Sequence, residues 1–540
     1  MKRYKFVPFI TIFILVVPVL FNNLCQNSLA ETKEREVPVE GGNYRRPLEF
    51  MPRTLDPALV ADIYSVSIIQ QLFDGLVQFD QNLNIIPAIA KSWEISRDGL
   101  IYTFYLKEGI KFHNRREVTA EDFVYSFSRI INPKTRSPAA HFLEKVLGVK
   151  EFQEGKTNYI EGIRSVGKYN FQIKLSEPFS PFISVLGIVN FKVVPKEEIE
   201  KPDTVFPISP VGTGPFKFVS TKEQREIILE ANSDYFEGRP YLDKIIFKIF
   251  HGSPREEISM HFKQAELEES LIPFRDVEEI TKSKQYIFVQ KPILSLRFYG
   301  LNTQSEPLRM EKIRRAISYS IPRELIGRDI LKGMAHLTDR IIPIGMPGYT
   351  PGKVSLGYQP HRAKALLREV GFPGGRGLPS IDFWSAAKAE LAVKELEMVK
   401  NHLYQSGINI NIRYETQWPK FQEILSSKEA PMFMYAWYAD FPDPDNFIGT
   451  LFHSKSRSNY TNYHNPEVDH LLDLARIERD YLKRMEMYRK IEEIILDDAP
   501  IVPMVNHLFQ MVYQPYVRGV EVSSLGGPYI PMRKIWLKKD

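Results

Sequence analysis

The chain has one cysteine in 540 residues, Cys25, and it lies in a segment that export is expected to remove. A mature protein without it has no disulfide, no thiol nucleophile and no cysteine-based metal site, so its stability rests on its core. Charge of one sign is lacking too: 71 Lys and Arg against 66 Asp and Glu leave a net +5, part of it from Lys2, Arg3 and Lys5. Without a basic run, nucleic acid and membrane surfaces find no electrostatic partner. No apolar run is long enough to span a bilayer. "FVPFITIFILVVPVLF", which follows the basic "MKRYK", is shorter than the ~20 residues a spanning helix needs, and Pro8 and Pro18 interrupt it. Catalytic and metal motifs are missing as well. His113, His251, His261, His453 and His464 do not fall at HxxxH or HExxH spacing. "GTGPF" at 212–216 precedes no GK[ST] and holds no serine nucleophile. In "DFPDPDN", Pro442 and Pro444 interrupt the alternating ligands of a calcium loop, and no Glu closes it. Carboxylates are plentiful, as in any chain, and single out no glycosidase pair. No metal and no cofactor is expected, and an exported hydrolase is the remote reading.

What is present begins with an export signal. "NNLCQNSLA" places Ser28 and Ala30 at the small-residue positions that signal peptidase reads, which predicts a signal peptide over 1–30 and a periplasmic protein. An uncleaved anchor and a lipid on Cys25 are the alternatives; Asn22, Asn23 and Leu24 are not the small residues that lipidation wants. The remaining chain, 43% hydrophobic and 12% aromatic overall, buries a large core and has the length of two to four domains.

The texture is mixed α and β. "IYTFYL" at 101–106 alternates as a strand does. Thr119, with Asp122 three residues on, caps a helix that Pro133 ends. Strands are expected in "GKYNFQIKL", "FKVV", 226–230 and 245–250. Further on, Ile313, Ala316, Ile317 and Ser320 recur at helical spacing, and "PRELIGRDILKG" reads as a helix from Pro322 to Gly333. A helix is expected between Pro360 and Gly371, a long one in "LAVKELEMVKNHLYQSGI" ahead of the strand "NINIRYE", and a helical pair from Val468 to Pro500.

The most informative stretch is "WYADFPDPDNF", residues 437–447. Asp440 stands behind Trp437 and Tyr438 at the end of an apolar run. An acid in a partly dry, aromatic-walled cleft binds a cation far better than one in bulk water, because the dielectric is low and the hydrogen bond charge-assisted. A primary ammonium is the natural guest. Asp443 and Asp445, between prolines, read as turn-capping acids.

Residues 90–133, "AKSWEISRDGLIYTFYLKEGIKFHNRREVTAEDFVYSFSRIINP", resemble the signature of the family 5 extracellular solute-binding proteins, the peptide and nickel receptors of ATP-driven (ABC) importers. Further stretches match in the family's order, beginning at Arg53, Ser209, Asn232, Leu301 and Tyr358, and "WYADFPDPDNF" is the match nearest the C-terminus. The resemblance covers residues 42–540. It implies an α/β, two-lobed clamshell of the periplasmic-binding-protein type with an extra third domain: domain I from 42–73, 207–297 and 507–540, domain II from 74–206, and domain III from 298–506. It implies a monomeric receptor, not an enzyme, that gives its ligand to a membrane permease and its ATPase. In peptide-binding members the aspartate of the W-x-x-D stretch resembles a receptor for the peptide's α-ammonium; here that is Asp440. By the same resemblance Ala436–Ala439 offers backbone bonds to an added peptide strand, and Val60–Ile63 is the domain I strand that completes the pairing. The expected ligand-binding residues are thus Asp440, Trp437, Tyr438, Ala436, Ala61 and Ile63.

The sequence departs from this pattern. Met434 stands where some oligopeptide-binding relatives have an Arg that meets the ligand carboxylate, Ala139 where relatives present a tyrosine, Gly300 where an acid is expected, and Pro322 where the family has Asp. The expected ligand is a di- or oligopeptide; a nickel chelate, an oligosaccharide or an opine on the same fold is the alternative.

Overall fold

The structure is a computed structural model, which describes residues 36–201, 206, 208–273, 276–351 and 357–539. The expected cleavage site after Ala30 and Cys25 lie outside the described residues. All the elements named below belong to the compact unit that begins at Val39.

Along the chain, β1 (Asn43–Leu48) precedes a 3-10 turn, Pro57–Leu59, and α1 (Ile63–Leu72). A hairpin of β2 (Val77–Phe79) and β3 (Ile85–Pro87) leads to β4 (Ala90–Ile95) and β5 (Ile101–Leu106). In β5 the expected alternation is realised: Tyr102, Phe104 and Leu106 are buried and their neighbours are not. α2 (Ala120–Ile131) starts with the expected capping box, in which the Asp122 carboxylate accepts the Thr119 N–H at 2.8 Å. Caps of this kind contribute roughly 0.5–2 kcal/mol. β6 (Ile163–Ser165) and β7 (Asn170–Lys174) complete a four-stranded sheet ordered β4-β5-β7-β6. β8 (Phe216–Lys222), β9 (Glu226–Ala231) and β10 (Lys244–Ile249) pair with β1 in a second sheet, β1-β10-β9-β8.

The third sheet has eight strands. β11 (Glu269–Leu271), β12 (Ile287–Pro292), β13 (Ser295–Leu301), β14 (Ala335–Leu337), β15 (Ile381–Ser385), β16 (Ile410–Tyr414), β17 (Met432–Tyr438) and β18 (Ile501–Tyr513) run in the order β11-β18-β13-β17-β15-β16, with β12 and β14 also on β18. β18 changes partners midway. Up to His507 it pairs with β13 and β14, and from Leu508 with β11 and β12. The boundaries read from the resemblance, 297/298 and 506/507, therefore fall inside β13 and β18. The two faces around β13 and β17 bury separate cores, Leu296, Phe298, Phe433 and Tyr435 on one side and Tyr299, Leu301, Met432 and Met434 on the other.

Two local expectations are corrected and one helix takes an unexpected form. "FKVV" is no strand: Lys192 makes one isolated bridge to Gly75, and the Val193 and Val194 N–H groups go to Asp74 O and Ser126 Oγ. "PRELIGRDILKG" is a short helical turn, Arg323–Leu325, that widens into a π-helix, Ile326–Leu331. Val60–Ile63 is also no strand. Asp62 accepts the Tyr64 and Ser65 N–H groups and so starts α1 at Ile63, while the Val60 carbonyl accepts from Asn190. Val60 and Asp62 keep extended backbone angles, and the helix takes over at Ile63.

The glycines of "GTGPF" have a packing role. A Cβ on Gly212 would lie 1.9 Å from the Leu72 carbonyl oxygen, and one on Gly214 2.5 Å from that of Gln71. His113 holds this loop: its Nδ1 accepts from Gly212 N–H and its Nε2–H donates to Gly214 O at 3.0 Å. Burial, against the Gly214 hydrogen bond, pushes the His113 imidazole down to about 4. An unfolded chain takes up this proton near the ordinary value of 6.5 and the folded one does not until about 4. This contribution to stability is complete above that ordinary value and is lost as pH falls through the window. Chemical denaturation midpoints across pH 4–7 should fall more steeply for the native protein than for His113→Gln.

Candidate functional site

β17 is paired on both sides only at its start. β13 runs along its whole length, whereas β15 meets it at Met432 and Phe433 alone. Beyond Phe433 the second edge carries no strand among the described residues. Because Ala439 N–H donates to Leu294 O, on the β13 side, the alternation of an antiparallel ladder turns the backbone N–H and C=O of Ala436 and Tyr438 toward that open edge. Tyr438 is half exposed and stacks on His507, with ring centres 5.2 Å apart.

Asp440 lies two residues past the strand. Asn446 fixes it: the Asn446 Oδ1 accepts the Asp440 N–H at 2.9 Å and the Trp437 Nε1–H at 3.3 Å, and its Nδ2 donates to Asp440 Oδ2 at 3.0 Å. Trp437 thus orients the acid's neighbour through its indole N–H. Asp440 is exposed to water, although protein packs densely around its carboxylate. Burial raises its carboxyl above the ordinary range; the Asn446 hydrogen bond and the nearby His141 pull the other way without overcoming it. No Lys or Arg pairs with it among the described residues. Tyr529 also feels it: burial first, then the Asp440 charge, pushes that phenol up. Behind Tyr529 lies a cavity of about 360 Å³ walled also by Phe73, Asp74, Phe79, Lys192 and Tyr235.

Asp443 and Asp445 differ from the surface turn acids expected of them. Asp443 does cap a turn by accepting the Asp445 N–H, but it is also buried and pairs with Arg484 at 2.7 Å. Asp445, equally buried, pairs with Arg476 at 2.8 Å and accepts from the Tyr488 hydroxyl at 3.1 Å. Three acids within six residues thus divide into two that lock the turn and one that remains open.

Across from Asp440 stand residues that the sequence did not single out. Phe441 packs edge-on against Phe142 at 6.0 Å and shares a core cluster with Ala58. The 3-10 turn at 57–59 is tied to this region, since Ser137 Oγ donates to Ala58 O. Ala61 and Ile63, beside that turn, are exposed. The departures also have local reasons. A Cβ on Gly300 would lie 2.2 Å from the Phe433 ring, so the ring fills the place of an acid. Ala139 and Met434 are buried apolar residues.

An aspartate that pairs with no Lys or Arg among the described residues, beside an open strand edge, is a site suited to a bound solute. Comparisons with known proteins agree. The model of the bacterial extracellular solute-binding proteins, family 5 (middle region), matches residues 84–459. The chain belongs to that family. It is 28% identical to the dipeptide-binding protein of Escherichia coli (strain K12), covering 89% of this chain and 91% of that one. Heme-binding protein A of Haemophilus influenzae is 27% identical over 88% of this chain and 89% of its own. Among solved structures, the periplasmic binding protein DppA of Helicobacter pylori in complex with the peptide STSA superposes with a TM-score of 0.73 at 27% identity, over 93% of this chain and 99% of that one. The fold is the α/β clamshell of periplasmic binding proteins, with multiple sheets and more than one domain.

Proposed function

We propose that this protein is the periplasmic receptor of an ABC importer, that it takes up di- or oligopeptides, and that it hands them as a monomer to the membrane permease and its ATPase. The observation that carries this reading is Asp440: a carboxylate held in place by Asn446, paired with no Lys or Arg among the described residues, two residues from an open strand edge. A peptide offers both complements, an α-ammonium for the acid and a backbone for the edge. A nickel chelate, an oligosaccharide or an opine has no backbone to pair with Ala436 and Tyr438. A heme, as in the name of one relative, brings propionates that an uncompensated carboxylate repels. Ala61 and Ile63 contact the ligand from the opposite wall, and domain I (42–73, 207–297, 507–540) with domain II (74–206) forms one lobe against domain III (298–506). Native mass spectrometry of the purified protein should reveal co-purified peptides; a consistently non-peptide ligand would overturn the reading.

The lobes should close on the ligand, with β18 flexing where it changes partners. Small-angle scattering should give a smaller radius of gyration after addition of a peptide mixture. An unchanged radius despite measured binding would exclude closure.

A further inference from the structure

The acid at one end of the open edge has a cationic counterpart at the other. Arg297 on β13 stands directly opposite Ala436 on β17. Its Nη1 pairs at 2.9 Å with Glu395, on the helix Glu390–Ser406 that connects β15 to β16. Arg297 shares its face of the sheet with its register partner Ala436 and with Tyr299, and the helix that carries Glu395 packs on that face. Ala436 contributes only a methyl group to that face. Glu395 is itself shared, because it also accepts from the Tyr299 hydroxyl. The remaining donors of the guanidinium, Nε and Nη2, are both buried and meet no acceptor among the described residues. These two form one edge of the fork, the edge that a carboxylate bridges with parallel hydrogen bonds. Single orphan nitrogens occur elsewhere, on Arg340 and Arg489, but there only one atom is involved. A buried donor without an acceptor is destabilising, and two on the same edge call for an explanation. The surroundings fit a ligand. Tyr438 and His507 both feel the Arg297 charge, and the His507 Nδ1 is engaged by Ser295 Oγ at 3.2 Å.

We propose that the Nε/Nη2 edge of Arg297 receives the C-terminal carboxylate of the peptide whose α-ammonium sits on Asp440. This deepens the peptide reading and rests on it. The arginine occupies a different strand from Met434, so the apolar residue there does not remove carboxylate recognition. Distance along the strand then sets ligand length. Ala436 and Asp440 are four residues apart, about 13 Å at ~3.3 Å per residue. An extended peptide of three to four residues spans that gap, with its N-terminus at Asp440 and its C-terminus over Ala436. To reach the guanidinium edge, the carboxylate displaces the groups that screen it from water, and the exposed Tyr438 ring is the one with room to move.

Titration calorimetry of the full chain with one tetrapeptide in three forms, free, N-acetylated and C-amidated, tests this. Losing one partner of a buried charged pair weakens binding by roughly 30-fold to several thousand-fold, so the amide should bind that much more weakly than the acid. Arg297→Met alone would strand Glu395, so the variant used is Arg297→Met with Glu395→Gln, which removes both charges together. In it, acid and amide should bind equally, while acetylation still weakens binding. Among free peptides, three and four residues should bind more tightly than two or six. Equal affinity of acid and amide for the native protein, or discrimination that survives the double variant, overturns the assignment to Arg297. Tight binding of hexapeptides overturns the length argument. If no form of any peptide binds, the peptide reading itself fails; if only the acid–amide difference is missing, that reading stands and this one falls.

Discussion

Asp440→Asn should weaken peptide binding by about 30-fold to several thousand-fold, because an α-ammonium buried without its anion costs roughly 2–5 kcal/mol. The substitution keeps the shape and a hydrogen-bond acceptor, so it isolates charge. An N-acetylated peptide should be penalised similarly by the native protein and much less by the variant. The effect depends on the site's rigidity: the Asn446 Oδ1 and Nδ2 hold both ends of the residue, so it does not swing out to water. It also depends on pH. The carboxyl is raised above its ordinary range, by burial first, so the anion needed for an ammonium is lost earlier on acidification than for an exposed aspartate. Affinity measured downward from pH 7 should therefore begin to fall above the usual Asp range. Equal affinity of acetylated and free peptide would show that Asp440 receives no ammonium.

Asp443→Ala should cost stability, not affinity. The carboxylate and Arg484 are both buried and 2.7 Å apart, and removing one partner of such a pair destabilises by about 3–5 kcal/mol. The reason is the arginine left behind, which stays charged in a dry site. Asp443→Leu with Arg484→Leu, which removes both charges and fills the space, should recover much of the loss. Urea midpoints of the two variants give the comparison. If the single variant unfolds within about 0.5 kcal/mol of the native protein, as an exposed turn acid would, the pair contributes nothing to the fold.

These two aspartates show what the sequence discloses and what it conceals. Asp440 stood out because the aromatic run before it and the motif it shares with relatives are both local. The same reasoning took Asp443 and Asp445 for surface residues, since prolines flank them. Their partners, Arg484 and Arg476, arrive from helices 41 and 31 residues further on, and no pattern within the turn announces them. Arg297 is concealed likewise: its place opposite Ala436 is a matter of strand register, set by pairing between distant parts of the chain. The elements themselves were mostly legible, from the capping box at Thr119 to the alternation in β5, because period and caps are short-range signals. Val60–Ile63, expected as a strand from the resemblance, is extended at Val60 and Asp62 but turns helical at Ile63, because Asp62 accepts the Tyr64 and Ser65 N–H groups. The π-helical turn at 326–331 has no sequence signal that we can name.

The open side of β17 has a second meaning. A strand edge that accepts a peptide backbone does not distinguish a nutrient from another protein chain, and "MYAWY" is apolar, aromatic and uncharged: the composition that favours sheet-to-sheet aggregation. Many proteins guard such edges with a lysine, a proline or a bulge, and none of these interrupts Met434–Tyr438. Here the guard is a wall. Phe142 packs on Phe441, and His141 lies near enough to Asp440 to act on its charge. On the proposed reading, the wall that leaves room for a short peptide would also keep a second copy of this protein from adding its own strand to the sheet.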